Sequence, residues 1–196
     1  MLDPSRTLWL ACLLLVRIRL ALFATFCLAT AAQALTIRAL SLDELWARAE
    51  RVVHARCLGV TPVAARGDLP AVEITLAVEE TLKGEADERL VIRQVAGRLG
   101  HLLPTCRAGD EAVLFLHAPS RLGLTSPVGL GQGYLRVVRS PGRAARLVGD
   151  PRIVGALAPR AATGSPVALS GSRAREDTAP LDAALAALRH RAQGAR

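Results

Sequence analysis

Aromatic side chains and lysine are both scarce in this 196-residue chain. Aromatics make up 3% of the residues, and Lys83 is the only lysine among 25 basic residues. So few aromatic rings cannot form the stacking platform on which single-stranded nucleic acids bind. The arginine excess, in a chain also rich in alanine, is typical of GC-rich codon usage. We therefore interpret the basic charge as an unspecialised surface and expect no nucleic-acid partner.

No motif of a known catalytic centre occurs either. No serine lies in a Gly-x-Ser-x-Gly turn, so the main sequence support for a hydrolase is missing. The four histidines, His54, His101, His117 and His190, are scattered, and none lies four residues from another as in a zinc-binding helix. Only a fold that joined His54, His117 and an acidic residue would create a metal site. The sequence thus predicts no catalytic residue, no cofactor and no metal ligand.

Two further patterns have simpler structural interpretations. Residues 129–133, Gly-Leu-Gly-Gln-Gly, resemble a phosphate-binding loop, but such loops open a helix and here a strand follows. They are expected to form a tight turn or bulge. Glu73, Glu79 and Glu80 could suggest paired carboxylates for acid/base chemistry. Because Glu73 and Glu79 occupy outward positions of an alternating strand, we expect solvated charge instead.

The N-terminal 34 residues have the pattern of an export signal. An apolar segment, Leu20 to Thr30, follows Arg17 and Arg19 and leads into Ala-Gln-Ala at 32–34. This order predicts a secretory signal peptide cleaved after Ala34. A membrane anchor over residues 8–32 is the alternative, but each arginine in its middle would cost about 2.5–3.5 kcal/mol.

Export has consequences for the rest of the chain. Residues before Val16 are surplus to such a signal, so translation is expected to start near Val16. Lipidation is not expected, because Phe26 rather than a small residue precedes Cys27. The mature chain from Leu35 carries 22 basic and 16 acidic residues, a formal charge of +6. We expect it to be secreted or periplasmic, without a permanent membrane anchor.

Two cysteines remain after cleavage, Cys57 and Cys106, with 48 residues between them. In an oxidising compartment such a pair is a candidate disulfide. The alternative is two small buried thiols in adjacent strands.

The pattern of the mature chain is mainly β. A capping box, Ser41 with Glu44, opens a short helix. Residues 72–79 alternate apolar and polar side chains, and residues 112–116 are apolar on both faces, as in a central strand. Five or six short strands without long helices between them favour a small closed or half-closed barrel over residues 35–157. The strands are predicted at 51–60, 72–79, 89–95, 112–116, 133–139 and 146–148.

The C-terminal part differs in composition. Residues 158–177 contain proline, glycine and serine without apolar periodicity, and are expected to be a flexible linker. Residues 178–196 are predicted to form an amphipathic helix, capped by Thr178 and with Pro180 in its first turn. We expect this helix to cover an exposed face of the barrel, with partner binding as the alternative.

Four segments together resemble a known group of proteins. They are Ser-Leu-x-Glu-Leu at 41–45, Glu-Glu-x-Leu-Lys-Gly at 79–84, Gly-Asp-Glu-Ala-Val-Leu-Phe-Leu at 109–116, and the glycine-rich segment 129–133. The chain resembles a set of uncharacterised exported bacterial proteins over roughly residues 37–140 and the last helix. The resemblance implies an OB-like barrel, similar in strand order to the netrin-like modules of metalloprotease inhibitors. It implies no known activity.

The sequence predicts a whole domain in which no catalytic residues are recognised. This favours a non-enzymatic protein that binds a protein or peptide partner in the cell envelope. An inhibitor or accessory factor of an exported protease is the alternative, by fold analogy. In the inhibitors the first mature residue is a cysteine that chelates the protease zinc, whereas here it is Leu35, which argues against that mechanism. A hydrolase or metal enzyme with an unrecognised site is the third hypothesis.

Overall fold

Most of the predicted mature domain is included in the structure. The predicted cleavage site at Ala34, His101 and residues 160–177 lie outside the described residues. None of the helices described is both long enough and apolar enough to cross a membrane. The structure, a computed structural model, describes residues 38–64, 69–96, 103–159 and 178–194, together with Arg17 and Arg19.

The architecture is mainly β, as predicted. All the strands pair antiparallel in one sheet, in the order β3-β2-β1-β4-β5-β6-β7. In chain order the described elements are α1 Leu42–Arg48, β1 Arg51–Ala64, β2 Pro70–Lys83, β3 Arg89–Val95, β4 Glu111–Leu116, β5 Tyr134–Val138, β6 Arg146–Val148, α2 Pro151–Leu157, β7 Thr178–Pro180 and α3 Leu181–Gly194.

The predicted barrel of five or six strands differs from the structure in its strand number and, for the closed alternative, in its closure. The sheet has seven strands in the described residues, and it is not a closed barrel, since β3 and β7 are its two ends. The additional strand is β7, where the sequence suggested the cap and first turn of the last helix. Three residues are too few to show a strand period, and β7 forms because β6 offers it an edge. The helix then begins at Leu181, whose N–H donates to the Ala145 carbonyl at 2.9 Å.

The short helix α2 was also missed by the sequence pattern. Asp150 caps it, accepting a hydrogen bond from the Arg152 N–H, and Pro151 occupies the first position. Ile153, Val154 and Leu157 are buried. The Asp-Pro start signal was present in the sequence, but seven residues with an internal glycine show little helical periodicity.

One face of the sheet packs against all three helices, and we call it the helix face. Strand residues at alternate positions supply it, so Val113 and Phe115 of β4 point here. Its buried members include Leu45, Trp46, Val52, Val113, Phe115, Leu135, Leu147, Ile153, Leu157, Leu185 and Leu188.

The other face of β3, β2, β1 and β4 buries a second cluster, which we call the disulfide face. Cys57 of β1 and Cys106 form a disulfide, with Cα atoms 6.3 Å apart. The predicted cross-link is thus present in the structure and fastens the segment before β4 over this face. Its buried members are Val53, Ala55, Cys57, Ile74, Leu76, Ile92, Ala112, Leu114 and Leu116.

A loop rather than a strand reaches the outer edge of β3. The Thr125 N–H donates to the Arg93 carbonyl at 2.7 Å. The register of β1 against β2 shifts at three places, between Val52 and Val53, His54 and Ala55, and Cys57 and Gly59. Because bulges bend and twist a strand, they let β1 to β3 curl back toward this loop. The sheet is therefore curved toward this loop, but it does not close into a barrel.

Lys83, the only lysine of the chain, contacts the C-terminal end of α1. Lys83 Nζ donates to the carbonyls of Trp46 and Ala49, at 2.7 and 2.6 Å, and lies 5.7 Å from the centre of the Trp46 ring. A cation at a helix C-terminus satisfies carbonyls that have no partner within the helix. At the other end, the predicted capping box of Ser41 and Glu44 is present.

Candidate functional site

A polar cluster with a buried centre lies where β1, β4 and β5 meet. Glu111 is the first residue of β4 and pairs with Arg56 of β1 and Val137 of β5. His54 lies two residues before Arg56, so both side chains point to one face of the sheet. Arg139 directly follows β5. The register of three strands thus brings together four polar side chains that are far apart in sequence.

Glu111 is the centre of this cluster. Its carboxylate accepts two hydrogen bonds from Arg139, at 2.6 and 2.8 Å, and lies 2.8 Å from His54 Nε2. Arg56 approaches it at 3.4 Å. The Glu111 and His54 side chains are only 4% and 7% exposed. Buried charge of this kind is tolerated only when it is paired and hydrogen-bonded, as it is here.

The charge on Glu111 is fixed by its neighbours. Hydrogen bonds from Arg139 are the main cause that holds the pKa of Glu111 below its ordinary value, with His54 adding to the effect and burial opposing it. The same contact raises the pKa of Arg139. An ionised carboxylate only accepts hydrogen bonds, so His54 Nε2 carries a proton toward it.

A metal ion is the first chemistry to consider here. The potential ligand atoms of His54, Glu79 and Glu111 all lie within 4.8 Å of one another. However, Arg56 donates to Glu79 at 2.8 Å and also contacts Glu111, while Arg139 takes both oxygens of Glu111. A metal cation would face two guanidinium charges on these carboxylates. The donor set therefore fits an ion-pair network better than a metal site.

The metal site considered from the sequence required His54, His117 and an acidic residue. His117 is not part of the group formed by His54, Glu79 and Glu111. It follows β4 and is exposed, and its backbone N–H donates to the Ser126 carbonyl at 3.1 Å. His190 is exposed on α3. His54 is the one described histidine that joins acidic groups, and its burial leaves little surface for a substrate.

The glutamates of β2 were expected to be solvated, and they are only partly so. Glu73 accepts from Arg93 at 2.9 Å, Glu79 from Arg56, and Glu80 from Arg189 of α3 at 2.6 and 2.7 Å. Sequence reasoning missed these partners because each lies on another element, from 20 to 109 residues away.

No protein-family model and no curated protein matches this chain. The resemblance to exported OB-like proteins therefore stays a prediction. Function has to be inferred from the chain's own geometry.

The segments that carry the resemblance have structural roles in the described residues. Gln132 accepts from the Leu40 N–H at 2.7 Å and donates to the Arg38 carbonyl at 3.1 Å, so it holds the first described residues of the domain. Gly129 and Leu130 have φ of 66° and 61°, and a side chain on Gly133 would meet the Val128 carbonyl at 2.7 Å. Residues 129–133 thus form the expected turn.

A groove of about 510 Å³ lies along the outer edge of β3. Four consecutive residues, Arg89 to Ile92, form one wall, so the groove follows the strand edge rather than one face of the sheet. Residues 116–119, where β4 ends, form the opposite wall, and Thr125 lies at one end. Val91 is 48% exposed.

Proposed function

We propose that this chain is an exported, non-enzymatic binding protein of the cell envelope that holds an extended segment of a partner protein along β3. One observation carries the proposal: β3 is the last strand of the sheet, and its outer edge at residues 89–92 faces a groove. An edge strand presents backbone donors and acceptors that an added strand can satisfy.

The contact between Thr125 and Arg93 supports this mode of binding. In this contact a main-chain N–H of a neighbouring loop bonds to a carbonyl on the outer edge of β3, which is the kind of hydrogen bond that an added strand would make. Over residues 89–92 the described residues supply no main-chain partner on that side. A bound segment would add main-chain hydrogen bonds there, while Val91 and its neighbours would contact its side chains.

The groove is also compatible with the OB-like arrangement that we propose for this open sheet. In the described sheet β1 pairs with both β2 and β4, which agrees with the OB-like arrangement that the resemblance implies. A partner segment between β3 and the loop after β4 would extend the sheet where a closed barrel has a strand. The signal pattern and the Cys57–Cys106 disulfide support an oxidising, extracytoplasmic location.

The proposal can be tested with a random peptide library displayed on phage and selected on the protein from Leu35 onward. The blocking variant is Val91→Lys, since a lysine on a strand edge opposes strand addition. The matched control is Val60→Lys, at a 38% exposed position of β1 outside the groove. We expect the selected peptides to bind Val91→Lys at least about tenfold more weakly, a loss of about 1.4 kcal/mol, and to bind Val60→Lys unchanged.

The second readout is hydrogen exchange of the β3 amides with and without a selected peptide. Slower exchange at residues 89–92 supports strand addition. The proposal is wrong if the library yields no binder, or if the selected peptides bind both variants as well as the unchanged protein.

A further inference from the structure

Charge is divided unevenly along the mature chain. Residues 89–149 contain nine arginines and two acidic residues, Asp110 and Glu111, a formal charge of +7. Residues 35–88 contain six basic and ten acidic residues, a formal charge of −4. No acidic residue occurs from 112 to 149. The moderate net charge of the whole therefore conceals a strongly basic segment.

Two of these arginines share one face of the sheet. Arg136 of β5 pairs with Val148 of β6, and Val138 pairs with Arg146. Paired residues point to the same side, so all four lie opposite the helix face, and we call them the arginine face. Arg136 and Arg146 are diagonal neighbours, with Cα atoms about 7–8 Å apart. Both are exposed, and the two valines are half-buried.

Arg143 extends this basic surface at the tip of the β5–β6 hairpin. Residues 139–144 are exposed, and the turn is closed by a hydrogen bond from the Arg143 N–H to the Ser140 carbonyl at 3.1 Å. Gly142 has a φ of 70°, which suits a tight turn. The tip therefore carries a third exposed arginine, three residues before Arg146 in the chain.

Of the arginines that the structure describes, seven form an ion pair with a carboxylate, and these three belong to the remainder. In the described residues no carboxylate lies within ion-pair distance of Arg136, Arg143 or Arg146. Arg146 donates to the Thr178 hydroxyl and carbonyl, at 2.7 and 3.0 Å, which orients the group without neutralising it. By contrast, the described ion pairs include Arg38–Glu44, Arg51–Asp87, Arg56–Glu79, Arg93–Glu73, Arg189–Glu80 and Arg191–Asp43.

We propose that the arginine face and the hairpin tip bind reversibly to an anionic phospholipid surface. Guanidinium forks match phosphate oxygens, and several basic residues on one exposed surface are attracted to a negatively charged leaflet. A leaflet presents many phosphates in one plane, so exposed guanidinium groups on neighbouring elements can each bind one without a preformed pocket. The lack of any acidic residue from 112 to 149 fits a ligand of uniformly negative charge. We therefore favour a lipid surface, and binding to an acidic polypeptide is an outcome of the test.

The test is co-sedimentation with vesicles of phosphatidylglycerol and phosphatidylcholine, compared with vesicles of phosphatidylcholine alone. The variant is the triple change R136Q/R143Q/R146Q. The matched control, R38Q/R189Q/R191Q, removes the same charge from arginines that have carboxylate partners. Each arginine near such a surface contributes about fivefold in affinity, so the first triple variant is expected to bind anionic vesicles about 100-fold more weakly.

Several outcomes decide the proposal. It predicts binding to anionic vesicles only, weakened by salt, nearly unchanged in the control variant and largely retained in R136K/R143K/R146K. Equal losses in the two glutamine variants would mean that only net charge matters, and would overturn it. So would an absence of vesicle binding, or binding to polyglutamate in place of vesicles. Val91→Lys should leave vesicle binding unchanged, which separates this proposal from the peptide groove.

Thermal unfolding of each variant shows whether it is folded. All three positions are exposed. We therefore expect cooperative unfolding with only a small decrease in midpoint, from the two Arg146 hydrogen bonds to Thr178 that the change removes. A binding loss in a folded variant then belongs to the surface itself.

Discussion

The helix face and the disulfide face of the sheet bury alternate residues of the same strands, yet they are held by different means. On the helix face, large apolar side chains from three helices pack against β4, β5 and β6. On the disulfide face, strands curl around a smaller cluster, and a covalent bond fastens the covering segment. The space left at its centre is about 10 Å³, enough for about one water molecule. Packing of helices stabilises the first face, and a cross-link completes the second.

The largest effect should come from the helix face. Phe115 is fully buried there, and Phe115→Ala should lower the free energy of unfolding by about 3–5 kcal/mol through the cavity it leaves. Chemical denaturation measures this loss. The neighbouring Leu114→Ala, which alters the disulfide face, should cost less because fewer atoms are removed. A larger loss for Leu114→Ala would mean that the disulfide face contributes more to the free energy of unfolding than the helix face does.

Removal of the disulfide should come next. Cys57 and Cys106 are 49 residues apart, and opening a loop of that size is expected to cost about 3–4 kcal/mol by the loop-entropy account. Cys57→Ser with Cys106→Ser, followed by hydrogen exchange, locates the change. Exchange should accelerate at residues 103–110 and stay slow in α3. If α3 loosens as much, the two faces are not separately stabilised.

The polar cluster at the edge of the helix face should contribute less. Glu111→Gln removes the charge that Arg139 and His54 hydrogen-bond, at a cost of about 1–3 kcal/mol. Because the pKa of Glu111 is lower in the folded state, its carboxylate stabilises the fold above the ordinary value of 4.5, and this is lost as the pH falls through the folded-state pKa.

Denaturation of both proteins as a function of pH measures the effect of Glu111. The difference between wild type and Glu111→Gln should shrink in acid. The control is Glu79→Gln, which breaks a more exposed ion pair and should cost less than about 1 kcal/mol. A difference that stays constant to low pH would show that the Glu111 charge is not the stabilising feature.

The smallest effect concerns Gln132, which holds residues 38–40 against the turn. Gln132→Ala should cost about 1 kcal/mol and make this segment more sensitive to proteolysis. Gln132→Glu keeps the acceptor for the Leu40 N–H and loses only the donor, so a smaller loss is expected. Equal proteolysis of all three proteins would contradict the role assigned to Gln132.

Local patterns in the sequence were enough to predict some strands, whereas pairing between distant segments was not predictable. The apolar run 112–116 of β4 and the alternation in β2 are local patterns, and both strands were predicted near their observed places. Pairing between β6 and β7 is not local. It depends on an edge that exists only after the first strands have paired, and three residues show no period of their own.

The polar cluster was hidden for a similar reason. His54 and Glu111 are 57 residues apart and meet only through the register of β1 against β4. One signal was present, since Glu111 is a charge at the start of a strand that is otherwise apolar. The sequence also named His54 in the one metal site that it left open, but Arg139, which hydrogen-bonds the Glu111 carboxylate, lies 28 residues away from it in the chain.

Strand addition to β3 requires that its outer edge be open. Amide hydrogen exchange of residues 89–95 in the unliganded protein tests this directly. Alternate N–H groups of an antiparallel edge strand point away from its only partner, so exchange should alternate between slow and fast over residues 89–92, with the fast amides slowed by a bound peptide. Uniformly slow exchange in the free protein would mean that another strand already occupies that edge and would contradict the account.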